Sequence, residues 1–412
     1  MHILQKIKAC YDSKHYNLRN YNFMLIGIVL LICIMGTFTL WIIGSGYNTT
    51  ADYKKHLFGI VIGLVIMLFV SIIDYHFICR FVIILYIAVT FLVAATRLTP
   101  LGTNNGKDAY RWLDFPNFQL QPSELCKVMV IIAIAVALNK LQNKLETVWP
   151  IVVSFLIMAV PLAFILYQPD LSSSIVIIFS VIIMVFASGI AYKILLPFIG
   201  VAIPAFIVGF WYIQQPDPMF IKDYQVGRII GFLHPDLYPD IAYQQLESID
   251  AISSGRLYGK YILEGISEIR LYNRVDVTES DFIWSAIGEE FGFIGSLLFI
   301  AIFIIFISLC LLVVKNSVDY LGKMIAIGIS SMFMFQIFAN IGVSVMILPN
   351  TGLPLPFVSS GLSSMLTYII AIGIMLNIGI QPVSKAFGRG FLIKNEPMNL
   401  NKLKYDKHVD LY

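Results

Sequence analysis

The sequence predicts an all-α protein that crosses a membrane many times, and three observations predict it. Of its 412 residues, 58% are hydrophobic and 13% are charged, about half the charged share of ordinary soluble domains. Mean hydropathy is +0.82. The apolar residues gather in ten runs, each close to the length of about 20 residues that a helix needs to cross a bilayer core. The net charge of +3 leaves no broad basic face for nucleic acid. Five cysteines (Cys10, Cys33, Cys79, Cys126 and Cys310) are scattered without CxxC spacing, which argues against a disulfide framework or a zinc site.

Pro, Gly and charge clusters mark where each run ends. The expected spans lie at roughly 23 to 44, 56 to 73, 77 to 95, 122 to 138, 150 to 167, 171 to 190, 194 to 213, 282 to 313, 324 to 348 and 361 to 380. The first follows a polar lead (1–22) with no small-residue cleavage site behind it, so it is expected to be a retained helix and not a signal peptide. The whole chain reads as one membrane domain, with a long loop over 214–281 between spans seven and eight and a polar tail over 381–412.

An even number of spans puts both termini on one side. That side carries sixteen Lys and Arg residues, against five in the short loops opposite and six more in 214–281, a loop too long to weigh in the positive-inside rule. Both termini are therefore expected in the cytoplasm. Polar material outside is then confined to 96–121, the Gln168-Pro169-Asp170 turn, 214–281 and 349–360, and any chemistry belongs at the outer face or in the membrane. The sequence has no GxxxxGK[ST] phosphate loop and no HExxH, which removes the usual signatures of ATP-driven transport and zinc hydrolysis.

Four segments carry candidate chemistry, each with a plain structural alternative. Before the fourth span stand Asn105-Gly106-Lys107-Asp108-Ala109-Tyr110-Arg111-Trp112-Leu113 and then Gln121-Pro122-Ser123-Glu124-Leu125-Cys126-Lys127. Pro-Ser-Glu is ordinary helix-start chemistry, and a Trp here is often an interface anchor. Lys127 is different, because a cation inside an apolar run costs roughly 2.5–3.5 kcal/mol. Glu124, three residues earlier on nearly the same face, can pair with it, either as a structural ion pair or around a substrate. Asp170, between two spans with almost no loop, either caps the next helix or faces a site.

The last outer loop, Pro349-Asn350-Thr351-Gly352-Leu353-Pro354-Leu355-Pro356-Phe357-Val358-Ser359-Ser360-Gly361, has three prolines and two glycines among apolar residues. It is expected to dip as non-helical backbone to membrane depth, beside a polar cavity that opens outward. The long loop ends in Glu279-Ser280-Asp281-Phe282-Ile283-Trp284, and at 100° per residue Asp281 stands above Ser285, Gly288, Gly292 and Gly295 on one helical face. Asp281 is an N-cap or a reacting carboxylate; the small stripe is a packing face or room for a substrate. Of Glu289 and Glu290, further along the same span, one is expected to bond a neighbouring helix, and neither is expected to be catalytic.

Taken together, these segments resemble the SEDS family (shape, elongation, division and sporulation), which includes RodA, FtsW and SpoVE. The resemblance rests on NG-x-x-x-RW, QPSEL-x-K, QPDL, Tyr224-Gln225 with Arg228-Ile229, Tyr243-Gln244 followed by Ala251-Ile252-Ser253-Ser254-Gly255, Asp281-Phe282-Ile283 with Gly288-Glu289-Glu290, and TG-x-PLPF-x-S, in that order along nearly the whole chain. It implies the SEDS fold and a peptidoglycan glycosyltransferase that polymerises lipid II outside the cytoplasmic membrane. It also implies a class B penicillin-binding protein as transpeptidase partner, among other elongation or division proteins. Where this family usually has Pro-Glu and His-Thr ahead of the aspartate, the chain has Asp276-Val277 and Glu279-Ser280; Tyr261 and Leu362 stand where glycines are usual. The Ile73-Asp74-Tyr75 end of the second span is slightly closer to RodA than to FtsW.

The implied chemistry needs few parts. A sugar 4-hydroxyl attacks C1 of a second sugar whose leaving group is a lipid pyrophosphate. A carboxylate takes the hydroxyl proton or holds a divalent ion such as Mg²⁺ or Mn²⁺, and cations neutralise the pyrophosphate. Asp281 is the expected catalytic residue and, where a metal takes part, its candidate ligand, while Arg111, Lys127, Glu124, Asp170 and Ser359 are the expected substrate-binding residues. No nucleotide is required, since the donor is already activated. A lipid II flippase or a non-catalytic scaffold of the division or elongation machinery are the rival readings; a flippase needs polar groups reachable from both faces.

Overall fold

The computed structural model describes residues 21–46, 51–99, 102–103, 110–115, 118–215, 223–267 and 269–381. Most of the N-terminal lead, the C-terminal tail and the Asn105 to Ala109 part of the first outer motif lie outside them.

Helices dominate. Eight are long and apolar enough to cross a membrane: α1 (Phe23–Gly46), α2 (Ala51–Ile72), α5 (Pro122–Lys140), α6 (Trp149–Tyr167), α8 (Tyr192–Ile213), α12 (Ile283–Asn316), α13 (Tyr320–Ser344) and α14 (Leu362–Gly379). At the third and sixth expected spans stand two shorter apolar helices, α4 (Val82–Leu98) and α7 (Leu171–Ala187), each of 17 residues. A six-residue helix, α3 (Tyr75–Arg80), leads into α4. The expected loop over 214–281 is in fact largely helical, with α9 (Asp223–Leu233), α10 (Pro239–Ser254), α11 (Lys260–Glu264) and a 3-10 turn at Leu271–Arg274. A small antiparallel sheet, β1 (Gly102–Thr103), β2 (Trp112–Phe115) and β3 (Phe118–Leu120), pairs Leu113 with both Gly102 and Leu120.

The core lies where α5, α13 and α14 meet, for these three are the most completely buried helices while α1, α2 and α6 show apolar side chains on their outer faces. Among the described residues, α8 buries none of its side chains.

The eighth expected span needs a correction. Gly292 breaks α12 with φ 64° and ψ −163°, a conformation that glycine alone adopts without strain. Residues 283–290 are all buried, whereas exposed apolar side chains begin at Phe293 and Ile294. The lipid-facing helix therefore starts after the break, and the face predicted to run unbroken from Asp281 through Gly295 does not exist. Main-chain groups freed at the break are satisfied from the loop: Phe293 N–H donates to Arg256 O (2.8 Å) and Ile294 N–H to Leu257 O (3.1 Å). Small residues permit this contact, since a Cβ on Gly255 would lie 2.0 Å from Gly288 O and one on Gly259 2.2 Å from Glu290 O.

Glu289 and Glu290, both fully buried, bind this same segment, and Glu289 meets the expected neighbouring helix at Lys260, the first residue of α11. Glu289 accepts from Lys260 Nζ (2.5 Å) and from the N–H groups of Leu271 (2.9 Å) and Tyr272 (2.8 Å). Glu290 accepts from Arg270 Nε (2.9 Å), whose guanidinium also reaches Glu264 (3.0 Å) and Gly265 O (2.6 Å). Helix α10 in turn caps α13: Gln245 donates to Val343 O and Leu348 O (2.9 Å each), and Ser248 to Ser344 O (2.9 Å).

At the opposite end of the bundle, His76 sits between two carboxylates, Nδ1 2.8 Å from Asp74 Oδ1 and Nε2 2.7 Å from Asp319 Oδ2. Tyr75 O–H adds a bond to Asp319 Oδ1 (2.5 Å) and Asn377 Oδ1 accepts from Tyr75 N–H (2.9 Å), so α3, α13 and α14 are tied together. Burial pulls the His76 pKa down, but the bonds to Asp319 and Asp74 outweigh it and hold the imidazolium up to about 9. Burial pushes Asp319 up, and His76 and Tyr75 more than offset this to keep it below the ordinary carboxylate value. The His76 contribution is thus complete below its unfolded value near 6.5 and is lost as pH rises through about 9; that of Asp319 is lost as pH falls through its lowered value. Thermal melts of the purified protein are expected to plateau between about pH 5 and 7 and to lose ~1–3 kcal/mol by about pH 10, the range allowing for partial exposure of the ring. Asp319→Asn should flatten the alkaline decline; an unchanged alkaline slope in that variant would contradict the assignment.

Candidate active site

The four polar segments expected outside meet at one end of the bundle. Arg111 Nη2 donates to Pro169 O (2.5 Å), joining the first outer segment to the Gln168-Pro169-Asp170 turn. Asp170, 1% exposed, caps α7 by accepting from Ser173 N–H (3.1 Å). Its other oxygen accepts from Ser173 Oγ (2.8 Å), Ser123 Oγ (2.9 Å) and Gln121 Nε2 (3.3 Å). The cap reading thus holds, and the same carboxylate also binds the start of α5. Gln121 N–H reaches Ser363 Oγ (3.0 Å) at the start of α14, and Ser172 Oγ donates to Thr351 O.

Lys127 and Glu124 form the pair that their spacing predicts. Lys127 Nζ lies 2.8 Å from Glu124 Oε1, with the two side chains 1% and 3% exposed. Glu124 Oε2 is buried and has no partner among the described residues. The Lys127 ammonium is also 5.9 Å from the centre of the Tyr368 ring, and the Tyr368 phenol lies within electrostatic range of both Glu124 and Asp281. The ion pair and the half-buried Asp281 therefore share one neighbour on α14.

Asp281 ends the long loop, and the N-cap position of α12 is the residue after it, Phe282. Its Oδ2 faces Gly352 so closely that a Cβ there would stand 3.1 Å away, with Ser172 Oγ at 3.8 Å from the same point. Gly352 has φ +68°, so both the conformation and the space call for glycine. As expected, the segment from Pro349 to Gly361 is non-helical backbone packed against protein: Phe357, 1% exposed, sits 5.5 to 5.7 Å from the rings of Phe306, Phe333 and Tyr368 on α12, α13 and α14. Ser359 is buried, donating to Ser280 O (2.5 Å) and accepting from Leu355 N–H (2.8 Å).

One further cation reaches this end. Arg228 on α9 donates to Asn350 O (3.2 Å), two residues from Gly352. Arg228-Ile229 stands among the motifs, but no pattern in the sequence says that it folds back over the last loop. Among the departures, Tyr261 packs its ring edge-on against Phe38 (5.5 Å), and Leu362 fills space over Gly59. Both side chains do packing work where a glycine is usual, and Val277 adopts φ +55°, a strained conformation for a β-branched residue.

The profile of the FtsW, RodA and SpoVE family, described as cell cycle proteins, matches residues 16–382. The chain belongs to this family. Within the family it is 31% identical over 311 residues to a protein of Geobacter sp. (strain M18) named "Probable peptidoglycan glycosyltransferase FtsW", covering 75% of this chain and 81% of that one. It is 29% identical over 357 residues to the peptidoglycan glycosyltransferase MrdB of Escherichia coli (strain K12), covering 85% and 91%. Among solved structures, a chain from a peptidoglycan synthase complex described as coordinating polymerization and crosslinking superposes with a TM-score of 0.73 at 24% identity, over 87% of this chain and 97% of that one. The fold is thus that of the family.

Proposed function

We propose that this chain is a peptidoglycan glycosyltransferase that polymerises lipid II at the outer face of the cytoplasmic membrane, in cell-wall elongation or division. The observation that carries the reading is the convergence of Asp281 with the Gly352 turn, the buried Glu124 and Lys127 pair and Asp170, which come from four separate stretches of the chain. Counting α4 and α7, the chain makes ten spans with both termini inside, which puts this end outside and the His76 cluster inside. The Lys and Arg distribution supports that orientation.

Asp281 takes the proton from the attacking hydroxyl; were a Mg²⁺ or Mn²⁺ ion to take part, Asp281 would be the residue to hold it, and the ion would supply charge to offset that of the pyrophosphate. Among the described residues no group of three or more His, Cys, Asp or Glu is arranged to hold a metal ion, so an ion here would have Asp281 as its protein carboxylate. Lys127, Arg111 and Arg228 are the cations proposed to neutralise the developing pyrophosphate charge. A class B penicillin-binding protein is the proposed partner for crosslinking.

Lipid II presented to the purified protein, alone and with its cognate class B penicillin-binding protein, should yield glycan strands on a gel. Adding a chelator separates the two roles of Asp281. Transbilayer movement of lipid II without any polymer would overturn the enzyme in favour of a flippase.

A further inference from the structure

The main chain that carries Asp281 is held by an unusual set of bonds. Three consecutive carbonyls accept from three separate donors: Glu279 O from Ser360 N–H (2.7 Å), Ser280 O from Ser359 Oγ (2.5 Å) and Asp281 O from the Asn340 side-chain amide (2.8 Å). Asn340 also donates to Leu353 O (2.8 Å), the residue after Gly352. One amide nitrogen on α13 thus spends both its N–H groups on the two segments that face each other across the Asp281 carboxylate.

Asn340 is 1% exposed and lies in α13 one turn before its end, where its main-chain carbonyl accepts from Ser344 Oγ (3.0 Å). A donor fixed to a helix, bonded at normal length to two non-helical segments, sets the distance between them. Neither segment has regular structure to do so: one is a turn leading into α12, the other the proline-rich dip. A short polar side chain in that place has no competing duty, because its Oδ1 has no partner among the described residues.

We propose that Asn340 is a positioning residue, holding the Asp281 carboxylate against the Gly352 turn at the distance that the transfer reaction uses. The inference rests on the reading of Asp281 as the reacting carboxylate. Removing Asn340 leaves Asp281 its charge but lets the turn and the dip move apart, and a displacement of about 1 Å at a reacting group costs on the order of 10²-fold in rate. Uniform substrate binding is not touched, so KM for lipid II should stay near the wild-type value.

The test uses the full-length protein with its partner and compares wild type, Asn340→Ala, Asn340→Asp and Asn340→Ser in kcat, KM, melting temperature and backbone hydrogen exchange of peptides spanning 276–282 and 351–360. Asn340→Ala is expected to lower kcat ~10- to 100-fold with KM within about twofold, and to speed exchange in both peptides. Asn340→Asp keeps the shape but, ionised, offers no donor, so it should do no better than Ala. Asn340→Ser keeps one donor and should lie between them, and it carries the test if Ala does not fold. The inference is overturned if Asn340→Asp or Asn340→Ala turns over at the wild-type rate, or if kcat and KM change together in step with a lost melting transition. Wild type that makes no polymer strikes instead at the proposed function, and the exchange data then still report whether Asn340 holds the two segments.

Discussion

Asp281→Asn is expected to lower lipid II polymerisation by ~10²–10⁴-fold, the usual cost of losing a general base, with expression, melting temperature and partner binding close to wild type. Two features of the structure sharpen that forecast. The N-cap position of α12 belongs to Phe282, and Asn caps about as well as Asp in any case, so the substitution threatens the helix little. The turn is held through its carbonyls, by Ser360, Ser359 and Asn340, and these bonds do not involve the carboxylate. What the substitution does remove is the charge facing Gly352 and Ser172. Turnover by Asp281→Asn within a few-fold of wild type would move the reaction elsewhere, with Asp170 and Glu124 the next carboxylates to test.

Lys127→Met should be strongly destabilising. It strips Glu124, 3% exposed and with no partner at Oε2 among the described residues, of the cation paired with it, and breaking a buried pair from one side costs roughly 3–5 kcal/mol. The double variant Glu124→Gln with Lys127→Met leaves no uncompensated charge and is expected to melt near the wild-type temperature or above it. Its activity then answers a separate question. If Lys127 neutralises pyrophosphate, the double variant folds and does not polymerise; wild-type rates would make the pair purely structural. A single variant as stable as the double one would show that the buried pair is not coupled as its 2.8 Å geometry demands.

What could be read in the sequence, and what could not, follows from the range of the forces involved. Apolar run length located the long spanning helices because insertion depends on local hydropathy, and Pro and Gly density foretold the non-helical dip at 349–361. The Glu124 and Lys127 pair was legible as an i, i+3 spacing. The break at Gly292 was not, since a Gly four residues after another also reads as helix packing, and only the approach of Arg256 and Leu257 satisfies the exposed amides. One of Glu289 and Glu290 was expected to bond a neighbouring helix, and Glu289 does so at Lys260, but that helix, the short α11, lies in the segment read as a loop. The meeting of Asp170 with Ser123, or Arg228 with Asn350, joins residues 47 and 122 positions apart, beyond any local pattern.

The sealed break at Gly292 also bears on the order in which the chain assembles during synthesis. Residues from Phe293 onward are apolar enough to enter lipid as they emerge, but the stretch just before them carries two carboxylates that lipid would reject. Every group that neutralises Glu289 and Glu290 has already been translated by then: Lys260, Arg270 and the amides of Leu271 and Tyr272 lie 17 to 29 residues upstream. The knot closes through short-range contacts that form early, with no need to wait for α13 or α14. Asp281, proposed here as the reacting carboxylate, is thereby expected to sit on a folded unit before α13 and α14 are made, and the later helices would then dock against it.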